Sequence, residues 1–279
     1  MWARTITLHC VSVFGVSFFG AGLSAGCWAL GPLPDRPASL GSTSCGVVCE
    51  GRELPDRGDA FSRGRPGEDT RVGVPRLIDA LDRAATSVRA SYPGTEDLRI
   101  GDVGAPHGGH HERHASHRAG RDVDILFYVE DAGGRPLRSA GFVAFSRFGY
   151  AVAPEGGLYF FDDARNWELV RTLLTDDTIE VQWIFCSRGV EARLLAYALE
   201  HETDPQVLFR APYVLQQPEN ARPHDDHFHV RVFCSAEERA DGCRDIGPRW
   251  PWLRPDVESL AGDAPPLDDT TLLEILRRP

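Results

Sequence analysis

The chain has 279 residues, 42% hydrophobic and 25% charged, so it can bury a sizeable core and is not a disordered polyampholyte. Its 30 basic residues stand against 41 acidic ones, a net charge of −11, which argues against phosphate neutralisation; no nucleic-acid partner is expected. Every basic residue is Arg, which excludes Schiff-base, P-loop and Ser-Lys chemistry, and the sole Met is the first residue, which excludes a Met-rich groove.

Met-Trp-Ala-Arg4 is followed by an uncharged stretch from Thr5 to Ala25, apolar mainly between Val11 and Leu23. A charged start, a short apolar core and small residues after it read as a secretory signal over 1–26, and no other run is long enough to span a membrane. Leu23-Ser24-Ala25-Gly26-Cys27 fits a lipoprotein box, making Cys27 a candidate lipid anchor, and fits an ordinary signal-peptidase site equally. Residues 28–44 are rich in Pro, Gly and Ser and read as a leader or linker.

Val74 to Tyr92 is the clearest helix: Leu77, Leu81, Ala84 and Val88 share a face, and Pro93-Gly94 stops it. Leu98 to Val103 and Asp122 to Glu130 read as strands, separated by a His-rich stretch. A helix over Ala164 to Leu174 is capped by Asp162 or Asp163. Thr178 to Cys186 reads as a strand, Val190 to His201 as a helix and His227 to Phe233 as a strand. Pro248 to Pro266 is Pro-rich, and Thr270 to Arg278 reads as a short terminal helix. The mixed order, with no repeat and no regular βαβ period, predicts a single α+β domain with a central, mostly antiparallel sheet flanked by helices.

Eight of the ten histidines fall in two stretches, His107, His110, His111, His114 and His117, then His224, His227 and His229. Two such stretches suggest two halves of one metal site on the sheet. His117 and Asp124 are seven apart, which on a continuous strand would put them on opposite faces; Gly120 supplies the turn that brings them together. His227 and His229 share a strand face, with Phe228 turned to the core. Two imidazoles and one carboxylate, leaving a fourth position for water, make a catalytic zinc set, with one Zn2+ expected per chain. No HExxH is present, and His111-Glu112-Arg113-His114 has the wrong spacing for one.

Ile100-Gly101-Asp102-Val103-Gly104, His114-Ala115-Ser116-His117, Gly120-x-Asp122-Val123-Asp124-Ile125 and His227-Phe228-His229-Val230-Arg231 together resemble the penicillin-insensitive murein endopeptidases, within the lysostaphin-, D-Ala-D-Ala- and hedgehog-like zinc group. Ser39-Leu40-Gly41-Ser42 and Leu54-Pro55 resemble that family's mature N-terminal segment. The resemblance covers roughly 39–234. It implies a linker over 27–38, a zinc metallopeptidase domain over 39–254 and a tail over 255–279. It implies His117, Asp124 and His229 as zinc ligands, with His227 and His224 beside the metal as base and transition-state stabiliser. It also implies a periplasmic or membrane-tethered hydrolase of cross-linked stem peptides in peptidoglycan, cutting D-alanyl–meso-diaminopimelyl bonds. A zinc D,D-carboxypeptidase and a non-catalytic zinc-holding cell-wall module are the alternatives.

Asp122 shares the Asp124 face and is either an orienting partner or a solvated acid. His107, His110, His111 and His114 read as a flanking loop or substrate contacts, Ser116 as a turn residue, and Arg113, Arg118 and Arg121 as a solvated loop by default, with contacts to the carboxylates of an acidic peptide stem as the alternative. Trp167, Trp183 and Phe185 read as core. For the cysteines, a local Cys234–Cys243 loop competes with a Cys186–Cys234 bridge between strands.

Overall fold

A computed structural model describes residues 33–219 and 221–253. The leader over 1–26, Cys27 and the expected Thr270 to Arg278 helix lie outside those residues. Among the described residues no helix is long and apolar enough to cross a membrane.

The first elements of the described residues are a hairpin of β1 (Ala38–Ser42) and β2 (Cys45–Cys49). The linker reading therefore ends early: Ser39 and Ala38 are fully buried, and Gly41 at φ 70 sits within β1 opposite Gly46. Three short strands follow, β3 (Arg52–Glu53), β4 (Phe61–Arg63) and β5 (Val72–Gly73), of which β3 pairs with β5. Helix α1 (Pro75–Ser91) starts at a proline, where the missing N–H costs nothing, and buries Leu77, Leu81, Ala84 and Val88 as its spacing predicts. Then come β6 (Leu98–Ile100) and β7 (Asp122–Leu126).

The strand expected to run on to Glu130 is interrupted. The Asn166 side chain accepts from the Tyr128 amide at 3.0 Å and donates to its carbonyl at 2.8 Å, taking the place of a ladder partner. The chain then leaves the main sheet for a second one, built from β8 (Val129–Glu130), β9 (Pro136–Leu137), β10 (Tyr150–Val152) and β11 (Leu158–Phe161) in the order β10-β11-β8-β9. Helix α2 (Asp163–Thr175) is capped by Asp162, which accepts from the Arg165 amide. The remainder is β12 (Val181–Phe185), α3 (Arg188–His201), α4 (Pro205–Val214), β13 (Leu215–Gln216), β14 (His227–Val232) and α5 (Ala236–Ala240).

The main sheet runs β13-β12-β14-β7-β6-β4. Its four central strands are antiparallel and its two outer pairs parallel. Along β7 and β14 alternate residues split cleanly. Val123, Ile125, Phe228, Val230 and Val232 join the hydrophobic core with the buried faces of α1, α2 and α4. Asp122, Asp124, His227, His229 and Arg231 occupy the other face. Helices therefore back one face and leave the opposite one for polar chemistry.

One open sequence reading is decided and another is corrected. Cys234 pairs with Cys243, while Cys186 is buried with a free thiol, so the inter-strand bridge does not form. Arg121 is not on a solvated loop but fully buried. It donates to Ser39 Oγ at 3.0 Å, the Val232 carbonyl at 2.9 Å, Asp245 at 3.0 Å and the Arg244 carbonyl at 3.0 Å, tying the N-terminal hairpin to the segment after β14. Arg121→Ala leaves four acceptors without that donor and should lower unfolding stability by about 3 kcal/mol, in the range for breaking a buried pair. Urea denaturation reads it directly, and a loss below about 1 kcal/mol would contradict the assigned role.

Candidate metal and active site

Asp124 is the centre of the polar face. It is fully buried, as is His117, while His229 is 5% exposed. Register alone puts His229 opposite Asp124, with His227 opposite Leu126 and Arg231 opposite Asp122. His117 arrives from the irregular segment between β6 and β7. Gly120, at φ 68, turns that segment back so that a spacing of odd parity still converges. A side chain at Gly120 would meet Val48 at 2.9 Å.

Four imidazole nitrogens surround the Asp124 carboxylate. His117 Nε2 lies 3.3 Å, His227 Nε2 3.4 Å and His229 Nδ1 3.4 Å from Oδ1, and His114 Nε2 lies 3.3 Å from Oδ2. These spacings exceed a hydrogen bond to oxygen. Both Asp124 oxygens, His117 Nε2 and His227 Nε2 are buried without a hydrogen-bond partner. Two donor atoms bound at 2.0–2.1 Å to one tetrahedral ion would lie about 3.3 Å apart, so the orphaned atoms have the spacing of shared metal ligands.

The outward nitrogen of each ring is fixed. His117 Nδ1 donates to the Val103 carbonyl at 2.6 Å, His229 Nε2 contacts Asp122 at 3.0 Å and His227 Nδ1 contacts Asp226 at 2.5 Å. At His117 and His229 such a contact orients the imidazole and leaves its other nitrogen bearing a lone pair. Asp122 is thus an orienting partner rather than a solvated acid. It accepts from the His117 amide at 3.2 Å and from Arg231 Nε at 2.6 Å.

Two triads bring ligand atoms within 4.8 Å of one another: His114, His117 and Asp124, and Asp102, His111 and His114. The second does not suit a metal, because Asp102 already accepts from Thr70, Arg65, Arg113 and His114. His114 is the site residue that sequence reasoning set aside as flanking loop. Its Nε2 is 3.0 Å from Asp102 Oδ2, which makes that nitrogen a donor and removes its lone pair. His111 is buried against the same rings, whereas His107 and His110 are exposed. Arg113 is likewise engaged, donating through Nε and Nη2 to Asp102 at 2.8 Å each.

His224 adopts φ 53 and His117 φ 62, a left-handed backbone that a non-glycine residue holds only under constraint. The His224 ring lies 4.9 Å from that of His227 and 5.4 Å from that of His229. Trp183 and Phe185, expected in the core, are stacked on each other and half-buried. Phe185 packs on His229 at 5.7 Å, so it walls the site, whereas Trp167 is buried as expected.

The protonation pattern is split. Burial by itself would raise the Asp124 pKa, but the surrounding histidines hold it well below the usual carboxylate range. Burial also depresses His224, reinforced by His229 and His227, to about 4. For His227, burial opposes the charged form, yet contacts with Asp124 and Asp226 outweigh it and raise the pKa to about 9. A histidine raised above its unfolded value of about 6.5 stabilises the fold below that pH and loses the contribution as pH rises through the folded value. In chelator-treated protein the stability difference between wild type and His227→Gln should therefore shrink from pH 6 to pH 9. A difference that grows over that interval would contradict the assignment.

Residues 39–146, which include His117 and Asp124, match the family described as penicillin-insensitive murein endopeptidase. Proteins of that name from Escherichia coli O17:K52:H18 (strain UMN026 / ExPEC), Escherichia coli O1:K1 / APEC and Escherichia coli (strain SMS-3-5 / SECEC) are similar to this chain. Each is 28% identical over 210 residues, covering 74% of this chain and 70% of the relative. The resemblance carried by the motifs is borne out: over these stretches the chain is similar to penicillin-insensitive murein endopeptidases.

Proposed function

We propose that the protein is a zinc-dependent murein endopeptidase that hydrolyses peptide cross-links of peptidoglycan, of the D-alanyl–meso-diaminopimelyl type. The observation that carries this reading is the orphaned, fully buried Asp124 carboxylate ringed by imidazole nitrogens at metal-sharing distances. The relatives' name supports the substrate. The Cys234–Cys243 disulfide supports an oxidising, extracytoplasmic setting.

His117 through Nε2, Asp124 and His229 through Nδ1 would hold the metal, one per chain. Their outward nitrogens are held by Val103 and Asp122 as ligand rings require. His227 has a similar inward nitrogen but sits between two carboxylates, Asp226 and Asp124, which favour keeping a proton there; a ligand must give it up. Zinc bound at this donor set supplies Lewis acidity, lowering the pKa of water to about 7 and polarising a carbonyl.

His227 and His224 then divide the roles of base and transition-state stabiliser. Asp226 fixes His227 so that Nε2 faces the reacting centre, where it takes or returns a proton and stabilises developing negative charge. A cation held by Asp124 cancels part of the field that raises His227, moving its pKa toward neutrality, where acid–base exchange is most effective. His224 is kept neutral by burial and its histidine neighbours, with Nδ1 on the Arg222 carbonyl, and serves as the transition-state stabiliser beside the metal. None of these groups is an acylatable serine, which accounts for penicillin insensitivity.

The role split is testable by metal analysis and turnover on the same variants. His229→Ala should lose both bound zinc and activity. His227→Ala should keep zinc and lose about 10² to 10⁴ in turnover. Stoichiometric zinc in His229→Ala, or zinc loss in His227→Ala, would overturn the division. For the reaction, purified protein incubated with cross-linked muropeptide dimers should yield the two monomers by mass. Release of terminal D-alanine alone would instead mark a carboxypeptidase.

A further inference from the structure

Arg65 lies two residues past the end of β4, beside the turn that follows β6, because the two strands are parallel with Arg63 opposite Ile100. Its Nη1 donates to Asp102 Oδ2 at 3.0 Å, its sole protein hydrogen bond among the described residues. Asp102 needs no second guanidinium, since Arg113 already bonds both of its oxygens. The Arg65 plane is braced on Phe142, with its central carbon 4.7 Å from the ring centroid, and Phe142 in turn lies edge-on to His227 at 5.0 Å. The absence of a side chain at Gly101 makes room for Phe142, which would come within 2.9 Å of a Cβ there. The side chain remains 30% exposed.

Arg65 is therefore pre-aligned, with Nε and Nη2 open, on the rim of the candidate site. Three successive contacts of 3.0, 3.0 and 3.3 Å lead from its Nη1 through Asp102 and His114 to Asp124. Arg231 is not equivalent: it reaches Asp122, on the side of His229 turned away from Asp124. In a chain of net charge −11, an acidic peptide needs a local cation to be held at all.

Resting on the endopeptidase reading above, the geometry points to Arg65 as the specificity residue that binds the substrate carboxylate on the carbon bearing the released amine. The planar fork suits a carboxylate, and its bracing by Phe142 and Asp102 spares the ordering a free arginine would need.

The test compares a cross-linked dimer carrying that carboxylate free with the same dimer carrying it as the amide. Arg65→Gln should lose at least about 10-fold in kcat/KM on the free acid, mainly through KM, and change less than about threefold on the amide. Arg65→Lys should recover part of the loss, and zinc content should match wild type in both variants. Equal loss on acid and amide, or no loss on either, overturns the assignment. Calorimetric binding of the uncrosslinked stem peptide reads Arg65 without turnover. Wild type should prefer acid over amide by at least about 10-fold and Arg65→Gln should not; no preference in wild type overturns the assignment. If wild type shows that preference but cuts neither dimer, the endopeptidase reading fails while the Arg65 assignment stands.

Discussion

A carboxylate buried without an N–H donor is among the least favourable arrangements a fold can hold, and the polar face of this sheet is organised around one. Asp124 is fully shielded from solvent, and its oxygens face ring nitrogens rather than amides. An isolated buried charge of this kind costs several kcal/mol unless compensated. Here four imidazoles face it: His117, His229 and His227 are each held on the far side of the ring, by Val103, Asp122 and Asp226, while His114 places one nitrogen between Asp102 and Asp124. The carboxylate is primed for a cation because three rings around it are held from behind and neither of its oxygens has a hydrogen-bond partner.

The scaffold makes this aim rigid. The β7–β14 register sets His229 against Asp124 without any loop, so the most demanding pair rests on ladder hydrogen bonds. The histidines that come from loops are held by backbone strain and side-chain anchors. His117 and His224 both sit at positive φ, and the His117 amide is bound by Asp122. A second layer of charge, Asp102 with Arg113, Arg65 and Thr70, fixes the segment that carries His111 and His114. The buried Arg121 network secures the turn behind it.

Much of the site was legible in the sequence because local patterns encode it. Alternation in His227-Phe228-His229 tells which rings share a face, and Gly120 between His117 and Asp124 signals a turn that repairs an odd spacing. Helices α1, α2 and α3 follow from periodicity and caps, and the antiparallel centre of the sheet from the mixed element order. The missed parts are long-range. Nothing near His114 in sequence shows that Asp102 will hold it beside Asp124. Arg121 looked solvated because its four acceptors come from residues 39, 232, 244 and 245. The early end of β7 depends on Asn166, which lies 38 residues further along the chain. The hairpin over 38–49 hid in a Gly- and Ser-rich stretch, where composition suggests a linker and tertiary burial decides otherwise.

The most direct test of the central claim is the metal content and muropeptide cleavage of Asp124→Asn, measured on one preparation whose fold is checked by circular dichroism. An amide keeps the shape and removes the charge that gathers the imidazoles. The account predicts a folded protein that has lost both bound zinc and cross-link cleavage. A folded Asp124→Asn that retains stoichiometric zinc and wild-type cleavage would contradict it.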